Sequence, residues 1–281
     1  MTLRSALRGK ATGSHPALRL VRRALGRALE LTDWTVRARL DDGSVLHVEL
    51  SNSVGRTIWL RHEYLAERSL VAVMRTTLRP GDVFIDVGAN VGYFTLLGSR
   101  LVGPEGRVHA FEPAPRVAAL LRRNVEANGL RNVVVVEAAL GAGTGASAIA
   151  ATRDSAYTYM LPDAAGPDTG RGVQVRTLTL DDHRRDARGR PPRLVKMDIQ
   201  GFEPFALAGG ERTLSGPDGP DVICEVAGWH LARYGNRPED VFALLRGWSY
   251  EAVNPETMGP MDVSDLTPRQ ENVLFRKRRE A

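Results

Sequence analysis

The stretch Gly81-Asp-Val-Phe-Ile-Asp-Val-Gly-Ala-Asn-Val-Gly-Tyr-Phe-Thr-Leu-Leu97 constrains the fold more than any other part of the chain. Val83 to Val87 is a β-branched and aromatic run of the kind that fills a parallel strand buried on both faces, and Val91 to Leu97 takes up helical spacing at once. The segment predicts strand, tight turn, helix. Gly88 and Gly92 flank the turn, where glycine permits positive φ and lets a ligand lie against bare backbone, while the amides opening the helix supply donors. An ordinary strand-to-helix connection looks the same, so the turn alone establishes no ligand site.

The unit repeats downstream. Strand candidates at 83–87, 107–111, 133–137, 194–198 and 221–225 alternate with helix-like stretches at 91–102, 114–128, 202–215 and 237–246. The final candidates, at 250–253 and 272–276, have no helix between them and read as an antiparallel hairpin. The pattern predicts an α/β fold: a doubly wound, mostly parallel seven-stranded sheet with an antiparallel C-terminal hairpin, plus an N-terminal helix and β-hairpin extension. Ligands of such sheets sit where the parallel strands end.

Three parts are expected: a basic segment at 1–34, a hairpin and helix at 35–79, and the sheet domain at 80–281. In the first, Leu18, Val21, Leu25 and Leu29 recur among arginines as a cationic amphipathic helix, suited to its own domain, to a partner protein or to a membrane surface. In the second, Asp41-Asp-Gly-Ser44 joins two alternating runs, a strong hairpin signal, and 56–79 reads as helix. Between the third and fourth parallel strands, about forty residues near 141–180, with Tyr157-Thr-Tyr159 among them, read as a lid-like insertion or a surface excursion.

Charge locates the alternatives. Residues 1–40 hold nine basic residues against Glu30 and Asp33, more than the whole net charge of +5, so the remaining body is slightly acidic. A nucleic-acid partner would have to be engaged through that segment or through the tail at 276–279. A single cysteine, Cys224, excludes an internal disulfide, and no apolar run reaches membrane-spanning length, so a cytoplasmic location is expected. Of 38 basic residues only Lys10, Lys196 and Lys277 are lysine, which suggests that position 196 wants a compact ammonium.

The strand ends carry the ligand argument. Asp86, Glu112 and Glu137 close three successive strands and are expected to gather at one sheet edge. Glu112 follows Gly92 by twenty residues, a separation at which an acid in this kind of fold grips both hydroxyls of a ribose. The turn lacks the G-x-G-x-x-G spacing for a pyrophosphate, and no G-x-x-x-x-G-K-[ST] loop occurs, so a ribose-bearing ligand without phosphates fits best.

Asp-Val-Gly-Ala-Asn-Val-Gly, then Phe111-Glu-Pro113, then Lys196-Met-Asp-Ile-Gln-Gly-Phe-Glu203 resemble the FkbM family of S-adenosylmethionine-dependent methyltransferases. The resemblance covers roughly residues 35–276. It implies a class I methyltransferase sheet, with Gly88, Asn90 and Gly92 facing the methionine part of the cofactor, Glu112 on the ribose and the Glu137 to Ala139 turn near adenine. Gln200 departs from the family's acidic residue, while Lys196, Asp198, Gly201 and Glu203 match. The implied acceptor is a hydroxyl on a small molecule such as a sugar or polyketide.

For the chemistry, alternation puts Lys196 and Asp198 on one side of the fourth strand, where they can orient or deprotonate a hydroxyl or simply pair with each other. Glu203 lies close by, and His230 is the alternative base. Asp198, Glu225 and Glu203 would suit a divalent ion, a minor option because acidic strand ends are common in this fold. His183 is expected to cap a turn; His47, His62 and His109 read as structural. Two alternatives remain: a non-catalytic cofactor-binding module docked through the basic helix, and a nucleic-acid methyltransferase recruited by the basic segment, which the slightly acidic body disfavours.

Overall fold

The computed structural model describes residues 29, 31–32, 34–61, 68–150, 152, 154, 158–161, 172–187, 190–267 and 272–278. The segment before residue 29, His62, Tyr157, Arg279 and much of the insertion lie outside the described residues.

The alternating runs near the N-terminus form β1 (Thr35–Arg39) and β2 (Val45–Glu49), paired antiparallel from Thr35 opposite Glu49 to Arg39 opposite Val45. Two helical segments, α1 (Ser53–Arg61) and α2 (Arg68–Thr77), occupy the stretch read as one helix. Next come β3 (Val83–Val87), α3 (Tyr93–Val102), β4 (Arg107–Phe111), α4 (Pro115–Ala127) and β5 (Val133–Val136). The insertion holds β6 (Ala139–Leu140), β7 (Gly145–Ala150), β8 (Tyr159–Met160) and β9 (Val173–Leu178), and leads through α5 (Leu180–Ala187) to β10 (Leu194–Met197). Helices α6 (Glu203–Ala208) and α7 (Glu211–Ser215), strand β11 (Asp221–Glu225), helices α8 (Gly228–Leu231) and α9 (Pro238–Gly247), and strands β12 (Tyr250–Val253) and β13 (Asn272–Lys277) complete the order.

The main sheet runs β12-β13-β11-β10-β3-β4-β5. From β11 to β5 neighbouring strands are parallel, and β13 is antiparallel to both β11 and β12. From β3 the chain moves outward through β4 to β5, then returns to the other flank of β3 for β10 and β11. That reversal opens a crevice between the C-terminal ends of β3 and β10. Register there pairs Lys196 with Asp86.

Both faces are packed. Ile85, Val87, Phe111, Val195 and Met197 join Leu207, Val241 and Phe242 on one side; Phe84, Val108, Leu194 and Ile223 join Leu70, Met74 and Phe94 on the other. Each fully buried side chain of this size contributes roughly 2 kcal/mol. The stretch predicted as one helix at 202–215 divides at Gly209-Gly210, where a Cβ on Gly209 would stand 2.0 Å from the Gly141 carbonyl oxygen.

The hairpin docks through side-chain amides. Asn124 accepts from His47 N at 2.7 Å and donates to His47 O and Val91 O at 3.0 and 2.8 Å. One turn on, Asn128 accepts from Val45 N at 2.8 Å and donates to Val45 O at 2.6 Å. Spaced i, i+4, one in the last turn of α4 and the other at its C-terminal cap, the two amides satisfy the free edge of β2 as a neighbouring strand would.

Part of the insertion is built in. Strands β6, β9, β7 and β8 form a second sheet in that order, with β9 and β8 antiparallel to β7. His183 lies within α5 rather than in a turn, with Nε2 3.0 Å from His109 Nδ1. Burial and the neighbouring His183, Arg107 and Arg184 push the His109 pKa down to about 4. The capping falls to Asp181, which accepts from Arg212 N and Thr213 N at the start of α7.

Candidate active site

A cleft of about 320 Å³ opens at the crevice. Its floor is the turn after β3. Gly88 has φ +78°, and a Cβ there would meet the Asp198 carbonyl oxygen at 2.0 Å, so strand crossing and backbone conformation both demand glycine. Gly88 N and Ala89 N donate to Phe111 O, locking the turn to β4. Asn90, with φ 50°, lines the cleft, and its Oδ1 is buried without a hydrogen-bond partner.

Glu112, just past β4, is 7% exposed and lines the same wall. Its Oε2 accepts from Asn90 N and its Oε1 from Ala114 N, each at 3.0 Å. Each oxygen retains acceptor capacity for a hydroxyl. Burial outweighs the two amide bonds and lifts the Glu112 pKa to about 7. Ala138 and Ala139 continue this wall.

Four predicted residues are not part of the cleft lining. Asp86 is fully buried behind the cleft lining, accepting from Thr95 Oγ1 at 2.6 Å and standing 3.9 Å from Lys196 Nζ; burial raises its pKa. Gly92 also lies behind the lining: it opens α3 at φ +96°, and a Cβ would strike Leu121. Glu137 does not join Asp86 and Glu112, because its carboxylate turns outward to Arg122 at 2.7 Å. The buried Glu203, its pKa raised by desolvation, accepts from Ile199 N at 2.8 Å and braces the loop after β10 from behind.

The opposite wall brings Lys196, Asp198, Glu225 and His230 together. Lys196 is 3% exposed, with Nζ 3.5 Å from Asp198 Oδ2 and 5.1 Å from the Phe94 ring centroid. His230 Nδ1 lies 3.1 Å from Glu225 Oε2, and both side chains are largely buried. Gly201, at φ +96°, lets this segment in: a Cβ there would lie 2.3 Å from the His230 carbonyl oxygen. The roof comes from the insertion, with Ile149, Tyr159 and Met160 in the lining. Tyr234 donates its hydroxyl to Met160 O at 2.7 Å, and Asp154 accepts from Ser53 N at 3.0 Å.

Thr95, Trp229 and the Glu225–His230 pairing are not singled out by sequence pattern. Only the short interval from Glu225 to His230, across a strand end, hints at the pair. Among the described residues no group of three or more His, Cys, Asp or Glu is arranged to hold a metal, and no helix is long and apolar enough to cross a membrane.

A mostly parallel sheet whose strand order reverses at β3, a glycine turn after that strand and an acid after the next make a methyltransferase-like α/β frame. The comparisons agree. A model of the methyltransferase FkbM domain matches residues 86–252. The 31-O-demethyl-FK506 methyltransferase FkbM of Streptomyces tacrolimicus is 31% identical over 250 residues, 79% of this chain and 92% of that protein. The protein-L-isoaspartate O-methyltransferase of Aeropyrum pernix is 47% identical over 58 residues, 21% of this chain and 22% of its own length. A solved methyltransferase FkbM from Methylobacillus flagellatus KT aligns with TM-score 0.43 at 16% identity, covering 92% of this chain and 59% of that one. The chain belongs to the FkbM methyltransferase family, whose methyl donor is S-adenosylmethionine.

Proposed function

We propose that the chain methylates a hydroxyl oxygen on a small organic acceptor, with His230 as general base and Glu225 as the residue that positions it. The carrying observation is the Glu225–His230 contact of 3.1 Å in the cleft whose other wall is the Gly88 to Asn90 turn and Glu112. The relative named for 31-O-demethyl-FK506 supports oxygen as the accepting atom.

Glu112 would hold the two ribose hydroxyls, Gly88 and Asn90 the amino-acid end, and the Ala138-Ala139 turn the adenine. The buried Asn90 Oδ1 and the two amide-anchored oxygens of Glu112 fit a ligand that brings hydroxyl and ammonium donors. Bound there, S-adenosylmethionine supplies an electrophilic methyl group on a sulfonium.

The remaining work belongs to the protein. A neutral His230 that donates from Nδ1 to Glu225 presents its Nε2 lone pair as base, and Glu225 stabilises the imidazolium once the hydroxyl proton arrives. Lys196 is a poorer base, because two carboxylates stand beside its ammonium. Its charge offsets Asp86 and orients Asp198 toward an acceptor hydroxyl. Tyr159, Met160 and Ile149 roof the cleft and limit the water that competes for the methyl group.

Mass-spectrometric detection of methylated product from a panel of hydroxylated natural products tests the reading. His230→Asn should lower kcat by about a thousandfold while the Kd for S-adenosylmethionine stays within about twofold. Unchanged turnover in that variant would refute the assignment.

A further inference from the structure

Trp229 lines the cleft yet is 58% exposed, one of the few large apolar side chains left in that state among the described residues. Its ring centroid lies 3.4 Å from that of His230 at a tilt of 45°. Whatever settles against the indole is therefore carried to the imidazole beside it. A second aromatic reaches the same cleft from the insertion: Tyr159, with the Arg233 guanidinium 3.8 Å from its ring centroid. Two aromatic side chains, from segments far apart in sequence, thus line the one cleft. An exposed indole offers a flat, rigid face at low conformational cost, which suits a ring better than a flexible chain.

Charge selects among rings. The described cleft lining carries the carboxylates of Glu112, Asp198 and Glu225 against the single cation Lys196. Lys196 is already matched by Asp86 and Asp198. Arg233 is not part of that lining: it donates to Gln200 O at 3.0 Å and lies over the Tyr159 ring. An anionic acceptor would enter against like charge with no described cation disposed to receive it, whereas hydroxyl donors would find acceptors on Asp198 and Glu225.

We propose that Trp229 is the acceptor platform and that, with Asp198 and Glu225, it selects an uncharged ring bearing a hydroxyl and rejects the anionic counterpart of the same ring. This specificity rests on the methyltransferase reading above.

The full chain, saturated with S-adenosylhomocysteine, is titrated with trans-4-hydroxycyclohexanecarboxamide and with trans-4-hydroxycyclohexanecarboxylate, and binding is read by saturation-transfer NMR. The two probes share ring and hydroxyl and differ in charge. The carboxamide should bind about tenfold more tightly than the carboxylate. Trp229→Ala should weaken carboxamide binding about fivefold, and Trp229→Phe should hold it within about twofold of wild type. Equal or tighter binding of the carboxylate, indifference to Trp229→Ala, or binding of neither probe overturns the proposal. Calorimetry of S-adenosylhomocysteine alone separates the two readings. Cofactor-product binding without the probe pattern sinks the platform and leaves the methyltransferase standing; no cofactor-product binding sinks both.

Discussion

The two walls of the cleft are built by different means. The wall proposed for the cofactor comes from consecutive units of the chain: the turn after β3, the end of β4 and the turn after β5, tied together by bonds between neighbouring strand ends such as Gly88 N to Phe111 O and Asn90 N to Glu112. The wall proposed for the acceptor is assembled from more distant pieces. It takes Lys196 and Asp198 from the end of β10, Glu225 and His230 from the end of β11 and the start of α8, and Tyr159 from a strand inserted between the third and fourth parallel strands. A family can keep the first wall and rebuild the second without touching the sheet, which is where new acceptors would be accommodated.

If the division is real, substitutions should separate cleanly. The largest effect is expected from Gly88→Ala. A Cβ 2.0 Å from Asp198 O and a positive φ should cost on the order of 3 kcal/mol in urea unfolding and abolish cofactor binding. A variant that stayed stable and bound S-adenosylmethionine normally would break the comparison. Next comes Glu225→Gln, which keeps shape and removes charge. It should lower kcat about thirtyfold and move the pH profile of kcat, with cofactor Kd unchanged; a purely structural role for Glu225 would leave the profile in place.

Glu112 sharpens the cofactor side through pH. Its pKa of about 7 in the ligand-free fold means that a proton must leave before the carboxylate can accept two hydroxyls. Affinity for S-adenosylmethionine should approach its full value about one unit above pH 7 and fall about fivefold from pH 7 to pH 6. Stability runs the other way. The unfolded carboxyl ionises near 4.5, below the folded value, so the fold holds the extra proton between 4.5 and 7 and the ligand-free protein loses stability as pH rises through that window. Calorimetric Kd and urea midpoints across pH 5 to 8 check the opposing slopes. The smallest effect is expected from Asp154→Ala, which removes a cap on α1 worth about 1 kcal/mol. Acceptor KM should rise while cofactor Kd holds.

The glycine turn, the acid twenty residues on and the strand-helix alternation were legible because each rests on neighbours in sequence. Glu137 misled for an instructive reason: a carboxylate at a strand end faces the crevice only if nothing nearer competes, and Arg122 on α4 does. Glu203 shows the same limit, since its partner is the Ile199 amide four residues back rather than a ligand. Asn124 and Asn128 carry no pattern that reveals a strand edge waiting more than seventy residues earlier in the chain.

By itself the sequence determined the parallel α/β architecture, the absence of a pyrophosphate turn and the placing of an acid, Glu112, just past the second parallel strand, because periodicity, glycine geometry and strand-end acids act over a few residues. Only the tertiary structure decided which carboxylates face the cleft, that Glu225 lies against His230, and that Trp229 and Tyr159 line the same cleft. Those relations depend on register between strands and on where an insertion folds back, neither of which leaves a local trace in the chain.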